Sequence, residues 1–513
     1  MLQLSDLSFS ENVRRILGAA ACLWVVQVIV RASLPKSKSG LPLPPSPPSR
    51  RLRGHFLPPR SSFLTIGRWI DEHGPLVTLR SGTQKMVIIG RHKAAIDIME
   101  RQSASLVDRP RLIAASEMLS GGLSIVFTPA GDRFRRMRRA LHTHLQPKAA
   151  EAYQPLQMSY AKHTVLSILE DPQNFQNHAR TYAATTVTKI AYGKDTSTSA
   201  TDAEVKDARE FLDIFRVAVR PGAYLVDAIP WLRYLPWYGQ ELKRGFEISK
   251  RLYTNQLNCV KEQITQGNAD IGPSFGRYML ENRDLCGLTE PEMAFLAGAF
   301  FVAGTDTTAL AICTVLMAAA CFPDEQAIVQ AELDAVIGRH RAPTFADEQS
   351  LPRLHAFISE ALRWRPLVPN GTPHRTTKEV IWENYSIPAG TTVFGNHWAI
   401  SRDPEVYPEP DAFKPQRWIN DQGGLRDDLD FFVFGFGRRI CPALHLAKRS
   451  VFINSALIVW AFELAADHTK PLDDMGFMSG MPPKEDPCTI NFKTRIPELE
   501  LRHTMHNYAR EDH

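Results

Sequence analysis

The pattern of hydrophobic and polar positions divides the chain into a long helical part flanked by regions of strands. Residues 75–90 (PLVTLRSGTQKMVIIG) predict two strands joined by a Ser-Gly turn, and residues 379–396 predict further strands broken by turns. From about residue 92 to 370 the pattern is mainly helical. We find no internal repeat and no disordered block in the sequence. The pattern therefore predicts one large α+β domain, mainly α-helical with small β-sheets.

The apolar run Met293–Phe322 contains a single charged residue, Asp306, and is long enough to cross a bilayer. A lipid-facing helix has apolar residues at its centre, whereas the centre of this run holds the polar cluster Thr305–Thr308. Thr289 and Glu292, just before the run, form the pattern of a capping box. We expect the buried central helix of a large folded body, with a membrane span as the alternative.

The uncharged run Ile16–Val30 near the N-terminus lies between arginines and predicts a membrane anchor. A cleaved signal peptide is the alternative, but no clean A-x-A cleavage site follows the run. More basic residues follow the run than precede it, which places the bulk of the protein in the cytosol. We expect a single-pass anchor at residues 1–33, a stiff proline-rich linker at 34–59 and a folded domain at 60–513.

Composition excludes several classes of protein. A net charge of +5 is too small to indicate binding to nucleic acid, although it could suit a membrane surface or an acidic protein partner. The seven cysteines are scattered, with no CxxC pair and no zinc-finger spacing. A disulfide framework or a structural zinc site is therefore not expected, and a reducing compartment fits best.

Cys441 stands in the unusual stretch FGFGRRICPALHLA, residues 434–447. Gly435 and Gly437 allow the backbone to lie against something flat, and Arg438 and Arg439 favour a thiolate. The following proline suits the first position of a helix. Three interpretations of Cys441 are open at this point: a packed core cysteine, a nucleophile and a metal ligand. A nucleophile needs a paired base, whereas a thiolate ligand to haem iron needs the flat approach and the cationic surroundings but no base.

At these residues the chain resembles the cytochromes P450, the haem-thiolate monooxygenases, through Phe434-x-x-Gly437-x-Arg439-x-Cys441. The resemblance extends over about residues 40 to 500. Further motifs of that family follow in order along the chain: GDRFRRMRRALH at residues 131–142, AGTDTT at 303–308, EALR at 360–363 and FKPQRW at 413–418.

The resemblance implies the cytochrome P450 fold, with haem b between the long central helix and the cysteine loop. It implies that Cys441 is the axial ligand of the haem iron and that Phe434 shields its sulfur from water. Arg138, Arg375 and Arg439 would contact the two propionates. The remaining cofactor-binding positions that it implies are Gly437 in the loop and Ala303 and Gly304 in the central helix.

The resemblance also assigns catalytic and structural residues. Asp306 and Thr307 would supply a hydroxyl group and a proton relay, and Gly304 would let the helix open locally. A buried charge network needed for haem incorporation would comprise Glu360, Arg363 and Arg417.

The chain departs from the family pattern at four positions beside the implied haem. Phe134 stands where tryptophan is usual and lacks the indole N–H that would bond to a propionate. Ala130 replaces a common tyrosine, Ala443 a common glycine and Leu444 a frequent arginine. None of these changes removes a catalytic atom.

The implied activity is insertion of one oxygen atom from O2 into an apolar small molecule, by hydroxylation, epoxidation or oxidative coupling. The implied partners are an NADPH-cytochrome P450 reductase and the endoplasmic reticulum membrane, with the catalytic domain facing the cytosol. The reductase could dock on a group of cationic residues, namely Arg135, Arg136, Arg139, Lys448 and Arg449. The sequence looks most like fungal enzymes of secondary metabolism. The alternatives are a reductase-independent haem-thiolate isomerase or dehydratase and a non-enzymatic integral membrane protein.

Two further expectations concern the substrate. Residues 220–244 mix aromatic and basic side chains. The resemblance implies that this segment lies over the substrate entrance and contacts the membrane, and the alternative is a packed loop and helix. The segments expected to line the pocket are Leu106–Phe127, Phe300, Ala303, Leu367–Thr372 and Phe477–Met481.

Overall fold

A computed structural model describes residues 16–22, 24–25, 38–49, 54–55, 57–58, 61–81, 84–266, 272–429, 432–478 and 487–508. Residues 16–22 and 24–25 are helical and mostly exposed. The rest of the predicted anchor at 1–33 lies outside the described residues, so the anchor stays a prediction.

The described part of the chain is mainly helical, as the sequence pattern predicts. Its α-helices are α1 (Ser62–His73), α2 (His92–Ala95), α3 (Asp132–Leu145), α4 (Pro147–Glu151), α5 (Gln154–Glu170), α6 (Phe175–Tyr192), α7 (Ala203–Ala218), α8 (Gln240–Thr265), α9 (Phe275–Glu281), α10 (Arg283–Cys286), α11 (Glu290–Cys321), α12 (Pro323–Val336), α13 (Pro352–Trp364), α14 (His397–Ile400), α15 (Leu444–Ala461) and α16 (Glu498–Asn507).

Short helical turns join these elements. They are the π-helical turns Ile96–Glu100 and Ile113–Met118 and the 3₁₀ turns Ser103–Ser105, Pro172–Asn174, Leu225–Asp227, Pro230–Tyr234, Phe345–Ser350, Pro415–Trp418, Phe432–Phe434 and Gly437–Arg439.

Three small β-sheets complete the described fold. The strands are β1 (Leu76–Ser81), β2 (Gln84–Ile89), β3 (His374–Arg375), β4 (Val380–Trp382), β5 (Tyr385–Ile387), β6 (Thr392–Gly395), β7 (Phe462–Ala466) and β8 (Ile490–Thr494). The largest sheet has the order β1-β2-β6-β3, with β2 and β6 parallel and the other pairs antiparallel. Strands β4 and β5 pair with each other, as do β7 and β8. The strands predicted at 75–90 and 379–396 are confirmed.

The proline-rich stretch of the predicted linker lies on the domain. The backbone N–H of Thr78, in β1, donates to the carbonyl of Pro45 at 2.7 Å, and its hydroxyl donates to the carbonyl of Pro44 at 2.8 Å. Proline lacks an N–H but keeps its carbonyl, so a proline-rich segment can still accept hydrogen bonds from a neighbouring strand. This part of the linker therefore adds to the edge of the sheet.

Helix α11 begins at a capping box, as predicted. The Thr289 hydroxyl accepts from the backbone N–H of Glu292, whose carboxylate accepts from the Thr289 N–H at 2.8 Å. Among the described residues α11 is the one helix long and apolar enough to cross a membrane, yet it is mostly buried by the rest of the protein. Its apolar side chains belong to two large core clusters, which explains why it is apolar nearly all round. The interpretation as a buried central helix is confirmed.

Candidate functional site

The loop before Cys441 is a tight turn that depends on Gly437. Gly437 has φ of +54°, and a Cβ atom there would lie 2.4 Å from the Cβ of Ser103. Its N–H donates to the Glu100 carboxylate at 2.8 Å. Further along, the N–H of Cys441 donates to the carbonyl of Phe434 at 2.9 Å. These contacts fix the backbone on both sides of the loop and so position the cysteine.

Cys441 lies just before the N-terminus of α15. The helix begins at Leu444, with Ala443 as its N-cap residue, so the prediction that Pro442 takes the first helical position is wrong by two residues. Burial raises the pKa of the Cys441 thiol, although the Ala443 N–H and Arg138 act to lower it. A metal ion bound at the sulfur would supply a positive charge that favours the thiolate.

The two arginines before the cysteine point in different directions. Arg438 is exposed, whereas Arg439 turns inward and donates to the carbonyls of Val107 and Thr128, each at 2.7 Å. The Arg439 guanidinium also lies 3.5 Å from the centre of the Phe134 ring. Phenylalanine at this unusual position thus offers an aromatic face to the cation.

Arg138, on α3, reaches the same loop from the other side. It donates to the carbonyl of Ile440 at 3.0 Å, next to the cysteine. Arg375, on β3, is exposed and forms an ion pair with Asp108 at 3.4 Å. Asp108 also accepts a hydrogen bond from the backbone N–H of Ala130 at 2.8 Å. Ala130 stands where the family commonly has tyrosine, and its contact with Asp108 is made by the main chain.

A further arginine, Arg109, was missed by the reasoning from sequence. Its side chain is buried and donates to the carbonyl of Val126 at 3.0 Å and to that of Pro373. Burial, together with the nearby charge of Arg439, lowers the pKa of Arg109 to about 9. Arg109 stands between Asp108 and Pro110 in the stretch LVDRPR, and nothing in that stretch indicates that its side chain is buried.

The guanidinium groups around the cysteine loop fit an anionic, flat ligand. Arg109, Arg138 and Arg439 each donate to backbone carbonyls, which carry no charge to balance them. Among the described residues Asp108 is the carboxylate whose charge acts on Arg109 and Arg439. Together with the glycine loop and Cys441, this cationic excess suits the two propionates and the planar ring of haem.

The predicted buried charge network is present. Arg363 binds the Glu360 carboxylate through two hydrogen bonds of 2.7 Å, and Arg417 adds a third contact at 3.2 Å. Glu360 also accepts from the Trp418 indole at 3.0 Å and the Lys414 backbone N–H at 2.7 Å, two donors that sequence reasoning did not identify. Glu360 is fully buried, so these donors replace all of its hydration.

The polar cluster of α11 faces two directions. The hydroxyls of Thr305 and Thr307 each donate to the backbone carbonyl one turn earlier in the helix. Thr305 lies within the core, whereas Thr307 lies on an exposed face that also includes Ala303. Asp306 forms an ion pair with Arg216, on α7, which sequence reasoning also missed.

Gly304 lies where two helices pack closely. Helix α11 is continuous through Gly304, and the local opening of the helix there stays a prediction. A Cβ atom at Gly304 would lie 2.7 Å from a methyl carbon of Val187, on α6. The missing side chain therefore allows α6 and α11 to pack closely.

A cavity of about 560 Å³ lies beside Thr307 and Asp306. Its lining confirms the expected segment Leu367–Thr372, whereas the expected segment Leu106–Phe127 contributes Val126 and Phe127 alone and the expected residue Ala303 is not part of it. Phe300 and Phe477 are instead buried in core clusters, and residues 479–481 lie outside the described residues. The unpredicted lining residues include Leu57, Phe63, Ile66, Met86, Leu212, Phe215, Val219, Arg220, Phe394 and Asn396.

The cavity and the cysteine loop adjoin each other through Arg109. Val126 and Pro373, whose carbonyls accept from Arg109, both line the cavity. On the other side Arg109 is close enough to Arg439 for their charges to interact. The structure thus brings the loop, the arginines and the face of α11 into one region, while the Glu360 network forms a separate buried cluster.

Comparison with known proteins gives the same assignment. The family model for cytochrome P450 matches residues 44–489. Cytochrome P450 monooxygenase 113 of Postia placenta is 45% identical over 487 residues, covering 94% of this chain and 98% of the relative. Monooxygenase 64 of the same fungus is 46% identical, covering 89% and 92%, and a P450 monooxygenase of Armillaria gallica is 35% identical, covering 89% and 91%. The chain belongs to the cytochrome P450 family, whose cofactor is haem, and is a P450 monooxygenase.

Proposed function

We propose that this monooxygenase transfers one oxygen atom from O2 to an apolar small molecule, with electrons from an NADPH-cytochrome P450 reductase. The cavity of about 560 Å³ carries this proposal, because most of its lining is apolar while Asp306 and Thr307 form part of its wall. Hydroxylation, epoxidation and oxidative coupling all suit a cavity with an apolar lining and two residues in its wall that can transfer protons.

Each part of the site has a separate task. Cys441 would ligate the haem iron, and Arg138 and Arg439 would hold the propionates. Haem, when bound, supplies the iron chemistry that activates and splits O2. The Thr307 hydroxyl holds a proton at Oγ1 on the cavity wall, and the neighbouring Asp306, once its carboxylate has taken up a proton from water, can replenish it. Asp306 is ion-paired with Arg216, so that pair must loosen for the carboxylate to exchange protons.

The membrane location is part of the same proposal. We place the protein on the cytosolic side of the endoplasmic reticulum membrane, with residues 1–33 as its anchor. Four large apolar side chains are exposed in one segment beside the cavity wall, which supports contact with lipid there. They are Leu225, Trp231, Tyr234 and Trp237. The similar monooxygenases come from the fungi Postia placenta and Armillaria gallica, and a role in fungal secondary metabolism is part of the proposal.

A reductase-independent isomerase or dehydratase is the rival function. Such enzymes need neither electrons nor O2 and have no need for an acid and an alcohol beside the cavity. Asp306 and Thr307 both line the cavity and therefore favour oxygen transfer.

The test is product formation by the haem-loaded full chain with reductase, NADPH and isotopically labelled O2, on a panel of apolar small molecules. We expect a product carrying one labelled oxygen atom, formed only when reductase and NADPH are present. A product formed equally without them would establish the rival function instead.

The thiolate assignment is checked separately by the spectrum of the reduced protein with carbon monoxide. The wild type and Cys259→Ser, at an exposed cysteine, should give a strongly red-shifted Soret band. Cys441→Ser should lose that band. An unshifted band in the wild type would contradict thiolate ligation.

A further inference from the structure

Three hydrogen-bonded polar side chains lie in the wall of the substrate cavity. They are Ser62, in the first turn of α1, and the amides Asn370 and Asn396, and all three line the cavity. The Asn370 amide donates to the Ser62 hydroxyl at 3.0 Å, and the Asn396 amide donates to the side-chain oxygen of Asn370 at 3.4 Å. Together they form a polar triplet in a lining that is mostly apolar.

The direction of each hydrogen bond in the polar triplet is fixed from its buried end. Asn396 is fully buried, and its Oδ1 accepts from the backbone N–H of Ala399 at 2.8 Å. A backbone N–H can only donate, so the nitrogen of the Asn396 amide must face Asn370. Asn370 therefore presents Oδ1 to Asn396 and Nδ2 to Ser62, and the Ser62 hydroxyl oxygen is the acceptor of the last bond.

Two donor hydrogens of the polar triplet are left to bind a ligand. Because the Ser62 oxygen accepts from Asn370, the hydrogen of its hydroxyl is left to donate elsewhere, and the Asn370 amide carries a second N–H. Within the part of the chain that the structure describes, neither hydrogen has an acceptor. Both side chains are half-buried, and both amide oxygens of the triplet already accept a hydrogen bond. The triplet thus offers two neutral donors to the cavity.

A neutral carbonyl oxygen is the ligand group that fits two neutral donors. It accepts two hydrogen bonds and brings no donor of its own. The hydrogen of an alcohol would need a further acceptor, and an ionised carboxylate would lose hydration that neutral donors replace only in part. A purely apolar ligand that covered the triplet would separate both donors from water, which is unfavourable.

The donors and Thr307 belong to different walls of the cavity. Ser62 is on α1, where Phe63 and Ile66 also line the cavity, and α1 packs against β1 and α14. Thr307 is on α11, which packs chiefly against α6, α8 and α15. A ligand whose carbonyl group is held at Ser62 would therefore place an apolar part, remote from that carbonyl, against Thr307.

We propose that the substrate is an apolar molecule bearing a neutral carbonyl group, as in a ketone, ester or lactone, whose oxygen accepts hydrogen bonds from Ser62 and Asn370. This inference rests on the proposed function in that it takes the cavity as the site of oxygen transfer. It adds the class of substrate and the two residues that select it.

The test measures binding alone, without reductase or NADPH. Haem-loaded full chain is titrated with ketones and with the matched alkenes in which =CH2 replaces =O, on straight-chain and fused-ring skeletons. Binding is followed by the change in the haem absorption spectrum. For at least one skeleton, the ratio of the alkene Kd to the ketone Kd should fall about fivefold in Ser62→Ala. It should fall about tenfold or more in Asn370→Ala, which removes one donor and the partner that orients the other.

Asn370→Asp tests the direction of the hydrogen bonds. A carboxylate has no N–H, so the Ser62 hydroxyl would donate to it and would no longer be left for a ketone. The ratio of the Kd of the matched secondary alcohol to that of the ketone should therefore fall about tenfold or more. A ratio that stayed at the value of the wild type would overturn the inference.

The control is Ser61→Ala, at the neighbouring hydroxyl, which lies outside the cavity lining and makes no side-chain capping bond to α1. It should keep the ratios of the wild type. Haem content and thermal midpoint verify that each variant is folded. A ratio of alkene to ketone Kd that is unchanged in Ser62→Ala or in Asn370→Ala for every skeleton, or a failure of every ketone to bind, would overturn the inference.

The two proposals fail in distinguishable ways. Labelled product from hydrocarbons, with no preference for ketones that depends on Ser62 and Asn370, leaves the proposed function intact and removes the role of the polar triplet. A preference for ketones that depends on these two residues, without labelled product, removes the proposed function and leaves the binding site.

Discussion

Glu360 is the residue whose loss should cost the most. It is fully buried, and five donors compensate its charge, two of them from Arg363. In Glu360→Gln the guanidinium groups of Arg363 and Arg417 would remain buried without a counter-charge. We expect the free energy of unfolding to fall by about 3–5 kcal/mol, and haem content per protein to fall with it. Urea unfolding and the haem-to-protein absorbance ratio measure the two effects.

The matched control is Glu281→Gln, which removes a half-exposed carboxylate paired with Arg277 within α9. An exposed pair of this kind contributes no more than about 1 kcal/mol. If Glu360→Gln retained full haem content and changed stability no more than the control, the charge network would be unnecessary for haem incorporation.

Thr307 should matter for proton supply rather than for folding. In Thr307→Ala the hydroxyl on the cavity wall is lost, while the helix keeps its backbone. Under the proposed function, the ratio of product formed to NADPH consumed should fall on the order of tenfold or more, and Thr307→Ser should recover much of it. Thr314→Ala is the control, because Thr314 donates to Leu310 at 2.8 Å in the same way but is buried in the core. An unchanged ratio in Thr307→Ala would exclude the relay.

The contacts that could be predicted from the sequence join residues close together in the chain, and those that could not join residues far apart. Glu360 and Arg363 are three positions apart on one helix, so their pairing follows from local geometry. Arg216 and Asp306 are 90 positions apart, and Arg109 and Pro373 are 264 apart. Those contacts depend on how helices and loops pack, and no local pattern specifies them.

Among the elements, α11 was predictable and its neighbours were not. Its apolar run and capping box identify a helix, and its polar centre distinguishes a buried helix from a membrane span. The start of α15 was misplaced because the rule for proline at the first helical position is a tendency, and the turn at Cys441 continues through Ala443. The role of Gly304 depends on Val187, on another helix, and so required the structure.

The contact between α6 and α11 can be tested at Gly304. In Gly304→Ala the new methyl group would lie 2.7 Å from the Val187 methyl, closer than carbon atoms can approach. Overpacking of this kind should lower the free energy of unfolding by about 1–3 kcal/mol, offset by up to about 1 kcal/mol because alanine favours a helix more than glycine does.

A double-mutant cycle separates packing from helix opening. Val187→Ala alone leaves a small cavity and should destabilise the protein, but in the Gly304→Ala background it should be nearly neutral or stabilising. Urea unfolding of the four proteins gives the coupling energy. Strict additivity would mean that Gly304 serves another purpose, such as the local opening that the family resemblance implies.

Buried histidines tie the stability of the whole molecule to pH. Burial lowers the pKa of His355 to about 4, of His374 to about 3 and of His397 to about 4, from an ordinary value of 6.5. Above pH 6.5 these imidazoles are neutral in both the folded and the unfolded chain. As the pH falls below that value the unfolded chain binds protons that the folded chain excludes, so stability is lost towards pH 4. The predicted loss is about 1.4 kcal/mol per pH unit for each histidine.

Replacing one of these histidines should reduce by one the number of protons that the unfolded chain binds and the folded chain does not. His355 is stacked on Phe452, with ring centres 4.9 Å apart, and, unlike His374 and His397, it does not follow a residue that lines the substrate cavity. His355→Gln is expected to lower stability at pH 7, because it loses that stacking, yet to reduce the slope of unfolding free energy between pH 6 and 4.5 by about 1.4 kcal/mol per pH unit. His340→Gln, at a side chain exposed to solvent, should keep the slope of the wild type. Urea unfolding at several pH values measures the slopes, and parallel curves for His355→Gln and the wild type would refute the assignment of a buried neutral imidazole.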